Sequence, residues 1–124
     1  VKDAEQLVKA GCYSAAFYIV GYAVECALKA CIAKQTQQYD FPDKKRASDS
    51  YTHDFTQLIG LASLRSELDK ERGANPAFAV NWAIAAQWRE TSRYEFRTQP
   101  DAEDLYEAIT NQGDGVLQWL QKHW

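Results

Sequence analysis

The segment FYIVGYAVECALKACIA, Phe17 to Ala33, is almost unbroken apolar sequence, yet it holds one acid, Glu25, and one base, Lys29. It is rich in Ala, Leu and Cys, contains no proline, and has Gly21 as its only glycine. It is too long and too poor in β-branched residues for a strand, so the pattern predicts one long helix from Tyr13 to Lys34. A helix apolar on nearly every side belongs at the centre of a fold or in a membrane. Ala15 to Ala33 approaches membrane-spanning length, but Glu25 and Lys29 near the middle would each cost roughly 2.5–3.5 kcal/mol to insert. The expectation is a soluble domain built around a buried central helix, with no membrane contact.

The rest of the chain suits that reading. Its 124 residues fit a single domain over 1–124, with 46% hydrophobic and 25% charged residues, as in ordinary globular proteins. The net charge of −3 gives no global attraction to nucleic acid or anionic lipid, so any such contact needs a local patch. Cys12, Cys26 and Cys31 form no C-x-x-C pair and have no histidine at ligand spacing. They are expected to be buried thiols in a reducing, cytoplasmic compartment, with neither metal nor cofactor. The opening VKDAEQLVKAG reads as a short amphipathic helix ended by Gly11 rather than as a signal peptide.

Beyond the long helix, QTQQYDFPDKKRASDSYT is polar and contains Pro42, which predicts a loop. THDFTQLIGLASL predicts a helix with Thr52 as its N-cap and Asp54 in its first turn. KERGAN predicts an interruption, and Pro76 a new start. Phe78 to Arg93 reads as one helix with Phe78, Trp82, Ala85 and Ala86 on one face. After Pro100 comes a last helix with Leu105, Ile109, Val116, Leu117 and Leu120 as core candidates, its regularity weakened by Gly113 and Gly115. The sum is an all-α, up-and-down bundle of four or five helices.

Glu25 precedes Lys29 by four residues, so the two share a helical face that Tyr18 and Tyr22 continue. This face is either the one wetted stripe of a buried helix, with Lys29 reaching to solvent, or it is buried. In the second case Glu25 needs a bonded partner, because an unpaired buried carboxylate is costly. The arginines of WRETSRYEF, Arg93 above all, are the natural candidates. Arg89, Arg93 and Arg97 recur every four residues and would make one basic stripe if a helix ran that far. Such a row binds phosphate, or is neutralised by Glu90, Glu95 and Glu25. Trp88 and Tyr94 offer faces for stacking a base or for packing the core.

The blocks AGCYSAAFYIVGYAVECALKACIA, HDFTQL and WRETSRY together resemble the HEPN domains (higher eukaryotes and prokaryotes nucleotide-binding). The likeness covers nearly the whole chain. It rests on the Gly11–Cys12–Tyr13 turn, GYAVECALKA from Gly21, His53–Asp54 with Leu58, and Trp88 with Arg93–Tyr94. The resemblance implies a small helical bundle that works beside a minimal nucleotidyltransferase, or in a toxin–antitoxin or defence setting. Many HEPN proteins are metal-independent ribonucleases that act as dimers. They use an arginine followed four to six residues later by a histidine near the start of a late helix, the imidazole moving the 2′-hydroxyl proton and the guanidinium stabilising charge on phosphorus. Here the matching segment, RETSRYEFRTQP, has no histidine. Arg46 and His53 meet the spacing elsewhere, but in a loop before a different helix, where chance supplies such matches readily. His53 more simply begins its helix, and His123 suits a helix C-terminus.

The missing histidine favours a non-catalytic module that binds a nucleotide, RNA or a partner nucleotidyltransferase. Glu25, Lys29, Arg89, Arg93 and Tyr94 are its expected ligand-binding residues. The alternative is a ribonuclease with a non-standard acid–base group, for which Arg93 and His53 are the weak catalytic candidates. Tryptophans at 82, 88, 119 and 124 suggest sticky surface and hence a homodimer. No phosphate-loop, dinucleotide, zinc-protease or serine-hydrolase motif is present.

Overall fold

A computed structural model describes residues 1–38 and 51–124, with no side-chain detail for 36–38. All regular structure among the described residues is helical: α1 (Lys2–Lys9), α2 (Tyr13–Gln38), α3 (Phe55–Leu61), α4 (Arg65–Ala74), α5 (Pro76–Ala85), a 3₁₀ turn (Glu90–Tyr94), α6 (Gln99–Thr110) and α7 (Val116–Gln121). The all-α bundle is as expected, with seven α-helices among the described residues where four or five were predicted for the chain. One extra helix arises where the last predicted helix divides, and the other, α4, forms where an interruption was predicted.

α2 is the axis: α1, α3, the 3₁₀ turn, α6 and α7 all pack on it, and α5 lies against α4, α6 and α7. Its Val20, Val24 and Leu28 meet Phe55, Leu58 and Ile59 of α3, Leu105 and Ile109 of α6 and Leu120 of α7 in one core. Each such side chain, once fully buried, contributes about 1.5–3 kcal/mol. By length and hydropathy α2 would be able to cross a membrane, but 56% of its apolar window is buried against the other helices.

Local chemistry explains the boundaries. Gly11 closes α1 at φ +79°, a conformation that disfavours side chains, while the Cys12 N–H bonds Leu7 O at 2.8 Å. α2 continues past Lys34 to Gln38, so the start of the predicted loop is helical; Pro42 and the basic DKKR run lie outside the described residues. Asp54, rather than Thr52, caps α3 by accepting from the Gln57 N–H at 3.1 Å, and Thr52 Oγ1 instead accepts from the Asp54 N–H. KERGA does not interrupt the chain but completes α4. Asn75 then ends that helix and caps α5, accepting from the Phe78 N–H at 3.2 Å.

The predicted helix to Arg93 stops at Ala85. There the Arg89 guanidinium folds back to donate to Ala86 O at 2.8 Å and Trp88 O at 2.9 Å, satisfying carbonyls that further helical turns would have covered. The last predicted helix divides into α6 and α7 at an Asn111–Gly115 turn. Asn75 Nδ2 and Asn81 Nδ2 hold that turn through Asp114. The Thr98–Asp101 capping box starts α6.

Two composition-based expectations fail for steric reasons. Only Cys31 is buried, because Cys12 sits in the α1–α2 turn and Cys26 faces out from α2 beside Tyr22. Trp82, Trp88 and Trp119 are core residues, which leaves Trp124 as the exposed tryptophan.

His123 packs edge-on to Trp119, ring centroids 5.0 Å apart. Burial is the main reason its pKa falls below the ordinary 6.5, assisted by Lys122 and Lys34 and opposed by Glu67. The neutral ring therefore belongs here, not the charged helix-end partner expected from sequence. With a folded pKa below the unfolded one, the unfolded chain binds the extra proton first. Stability should be fully present above about pH 6.5 and decline as pH falls through the folded value. Thermal melts from pH 7.5 to 5 should show that decline reduced in His123→Gln; an unchanged profile would contradict the assignment.

Candidate functional site

Glu25 is 1% exposed. α2 places it one turn beyond Gly21 and on the side facing α3, while the solvent stripe of the helix runs through Tyr22, Cys26, Ala30 and Ala33. The carboxylate is therefore buried and bonded, but not to an arginine. Its Oε1 accepts from Lys29 Nζ at 2.9 Å and meets His53 Nδ1 at 2.7 Å. Arg93 pairs instead with Glu90 at 3.6 Å and lies 4.6 Å over the Tyr94 ring. The reason lies in the chain path. The segment before α3 delivers His53, two residues ahead of the core anchor Phe55, directly onto α2, whereas the segment after α5 packs on α2 through Trp88 and the 3₁₀ turn and leaves Arg89 and Arg93 exposed.

An aromatic cluster borders this centre. Trp88 stacks on Phe55 at 5.4 Å and lies 5.9 Å from Tyr18, which stacks in turn on Tyr22 at 6.0 Å. The indole rests on the bare backbone of Gly21, where a Cβ would stand 2.2 Å from its Nε1. Glu25 Oε2 and Trp88 Nε1 are both buried without a hydrogen-bond partner among the described residues. Unsatisfied buried groups of this kind cost about 1–3 kcal/mol each.

Chemically, the Glu25–His53 pair orients an imidazole. Nδ1–H is donated to a carboxylate, which sets the tautomer and leaves Nε2 as an acceptor on a ring whose side chain is 44% exposed. Such a ring can take up and return a proton. Lys29, one-third exposed, spends its ammonium on the same oxygen.

The other expected residues are not brought to this centre. Arg89 is occupied by carbonyls, Arg93 and Tyr94 stand on the 3₁₀ turn, and Arg97 pairs with Glu95 while lying 4.3 Å over Phe17. The four-residue arginine row is thus broken, because no helix spans it. Arg46, the spacing partner of His53, lies outside the described residues. Among the described residues no three His, Cys, Asp or Glu side chains converge on a metal position. Sequence reasoning missed His53 as the partner of Glu25, although its place at the head of a helix with Phe55, Leu58 and Ile59 was a usable signal. It also passed over Phe96, an aromatic between acid and arginine that proves to be 88% exposed.

A helical bundle wound round one long apolar helix, with a buried carboxylate holding a lysine and a histidine, defines a class of small all-α domains. The HEPN domain family matches residues 1–123, and the chain belongs to that family. No curated protein and no solved structure matches it. Family membership makes a nucleotide- or RNA-related role the coarse functional assignment.

Proposed function

We propose that this HEPN domain is a non-catalytic module that binds a nucleotide or an RNA segment. The observation that carries the reading is the exposed segment around Arg93. Its guanidinium and the 76% exposed Tyr94 ring offer phosphate-binding and base-stacking chemistry, and no histidine stands in RETSRYEFRTQP to move a proton. The Arg93–Glu90 pair is solvent-exposed and worth little, so a phosphate displaces it at small cost. A partner nucleotidyltransferase, a toxin–antitoxin or defence setting, a homodimer and a cytoplasmic location complete the proposal. An apolar groove lined by Ala23, Cys26, Ala30, Leu117 and Trp124 on the solvent side of α2 supports self-association.

One observation favours a second reading, a ribonuclease: the 2.7 Å Glu25–His53 pair, which prepares an imidazole for acid–base work. Incubating the purified domain with single-stranded and structured RNA, with and without divalent metal, separates the two. Retention of intact RNA, weakened several-fold in Arg93→Ala and unchanged in His53→Ala, is the expected result. Cleavage abolished by His53→Ala would establish the nuclease instead.

A further inference from the structure

A groove of about 630 Å³ lies between the α1–α2 turn and the segment leading into α6, with Tyr13 and Ser14 on one wall and Phe96, Arg97 and Gln99 on the other. It is distinct from the Glu25 centre, and its volume falls in the range of small-ligand sites. We infer that this groove is a subsite for one nucleobase–phosphate unit, the base stacking on Phe96 and the phosphate meeting Arg97. The inference rests on the RNA- or nucleotide-binding reading above and adds a second contact point to the Arg93 segment.

Three features carry it. Phe96 is 88% exposed, although a phenyl ring gains nothing from water. It is an exposed aromatic face on the groove, and ring faces accept any base. The walls are also built rather than loose. The Arg97 N–H donates to Ser14 Oγ at 2.8 Å, tying the segment to the head of α2, and the Thr98–Asp101 capping box fixes the next residue. Arg97 adds the charge. Its guanidinium is held 4.3 Å over Phe17, and its Nε–H has no acceptor among the described residues. Its contact with Glu95 uses Nη2, on a carboxylate half exposed to solvent that a phosphate can replace. An aromatic face beside a guanidinium, on rigid backbone, is the chemistry of single-strand recognition rather than of an apolar protein partner.

The test is binding of a fluorescein-labelled 12-nucleotide oligoadenylate RNA by anisotropy at low salt, with AMP titrated separately by calorimetry to distinguish a free nucleotide from a strand. Phe96→Ala should weaken RNA binding about tenfold, in line with stacking losses of roughly 1–3 kcal/mol per base. Phe96→Tyr, which keeps the ring, should stay within about twofold. Because Phe96 contributes little to the core, equal melting temperatures should show that both variants are folded. RNA binding that persists unchanged in Phe96→Ala would overturn the groove and leave the broader reading standing. No affinity of the unchanged domain for either probe would overturn both. Self-association weakened by Phe96→Ala, with no nucleic-acid affinity, would make this face a contact between copies and also overturn the inference.

Discussion

Gly21→Ala should destabilise the domain by about 3 kcal/mol, at the upper end of what overpacking costs, and lower its melting temperature by roughly 10 °C. The added Cβ would stand 2.2 Å from both Cδ1 and Nε1 of Trp88 and 2.5 Å from Cε2. The indole cannot simply rotate away, because Phe55 stacks on it and Tyr18 flanks it. Either Trp88 leaves the core or α2 moves off the aromatic cluster, and both lose packing that no neighbour can replace. On helix propensity alone the same change would stabilise by roughly 1 kcal/mol. The sign of the measured effect in a urea titration therefore decides between the two forces. A more stable Gly21→Ala would mean that Trp88 does not lie against α2.

The second large effect is expected at Glu25. Glu25→Ala removes the acceptor for Lys29 and His53 and leaves a void in a fully buried position, a loss of about 2 kcal/mol. Glu25→Leu fills the void, and both freed side chains can turn to solvent, because Lys29 and His53 are partly exposed. Replacing a buried ionic group with a hydrophobe of similar volume is often neutral or stabilising, so Glu25→Leu should match or exceed the stability of the unchanged chain. Oε2, buried without a partner among the described residues, points the same way, since such burial is a net cost. Unfolding by urea measures both variants. Equal losses in the two would show that the three-residue polar centre itself holds α3 on α2. A stable Glu25→Leu would leave the acid with a task other than stability, and orienting the His53 ring is the one the geometry offers.

Much of the fold was readable in advance. A long run apolar on nearly every side needs an apolar surround, and Glu25 and Lys29 in its middle favour helices over lipid, so α2 and the bundle followed from Phe17–Ala33. Pro76 and Pro100 marked starts, and the Asn75 and Thr98 side chains that cap those helices in the structure belong to the same local sequence. The misplaced boundaries share a different cause. KERGA looked like a breaker, yet Leu68 anchors α4 in the core and carries the helix through it. Arg89 looked like the first of a basic stripe, yet its guanidinium folds back at the end of α5 to bond the carbonyls one and three residues before it, which no propensity records.

The candidate site was legible only by half. That Glu25, if buried, needed a partner followed from the cost of burying a carboxylate; whether it was buried or lay on a wetted stripe stayed open. Which partner answered it stayed open too, because an arginine 68 positions away and a histidine 28 positions away are equally available to a chain read as text. Only the packed structure decided between them, since the seating of Phe55 beneath Trp88 sets where the residues before it can reach. Local sequence determines period, caps and the demand for a partner, all of which act over a few residues. Long-range packing chooses the partner, because it depends on where helix ends come to rest in three dimensions.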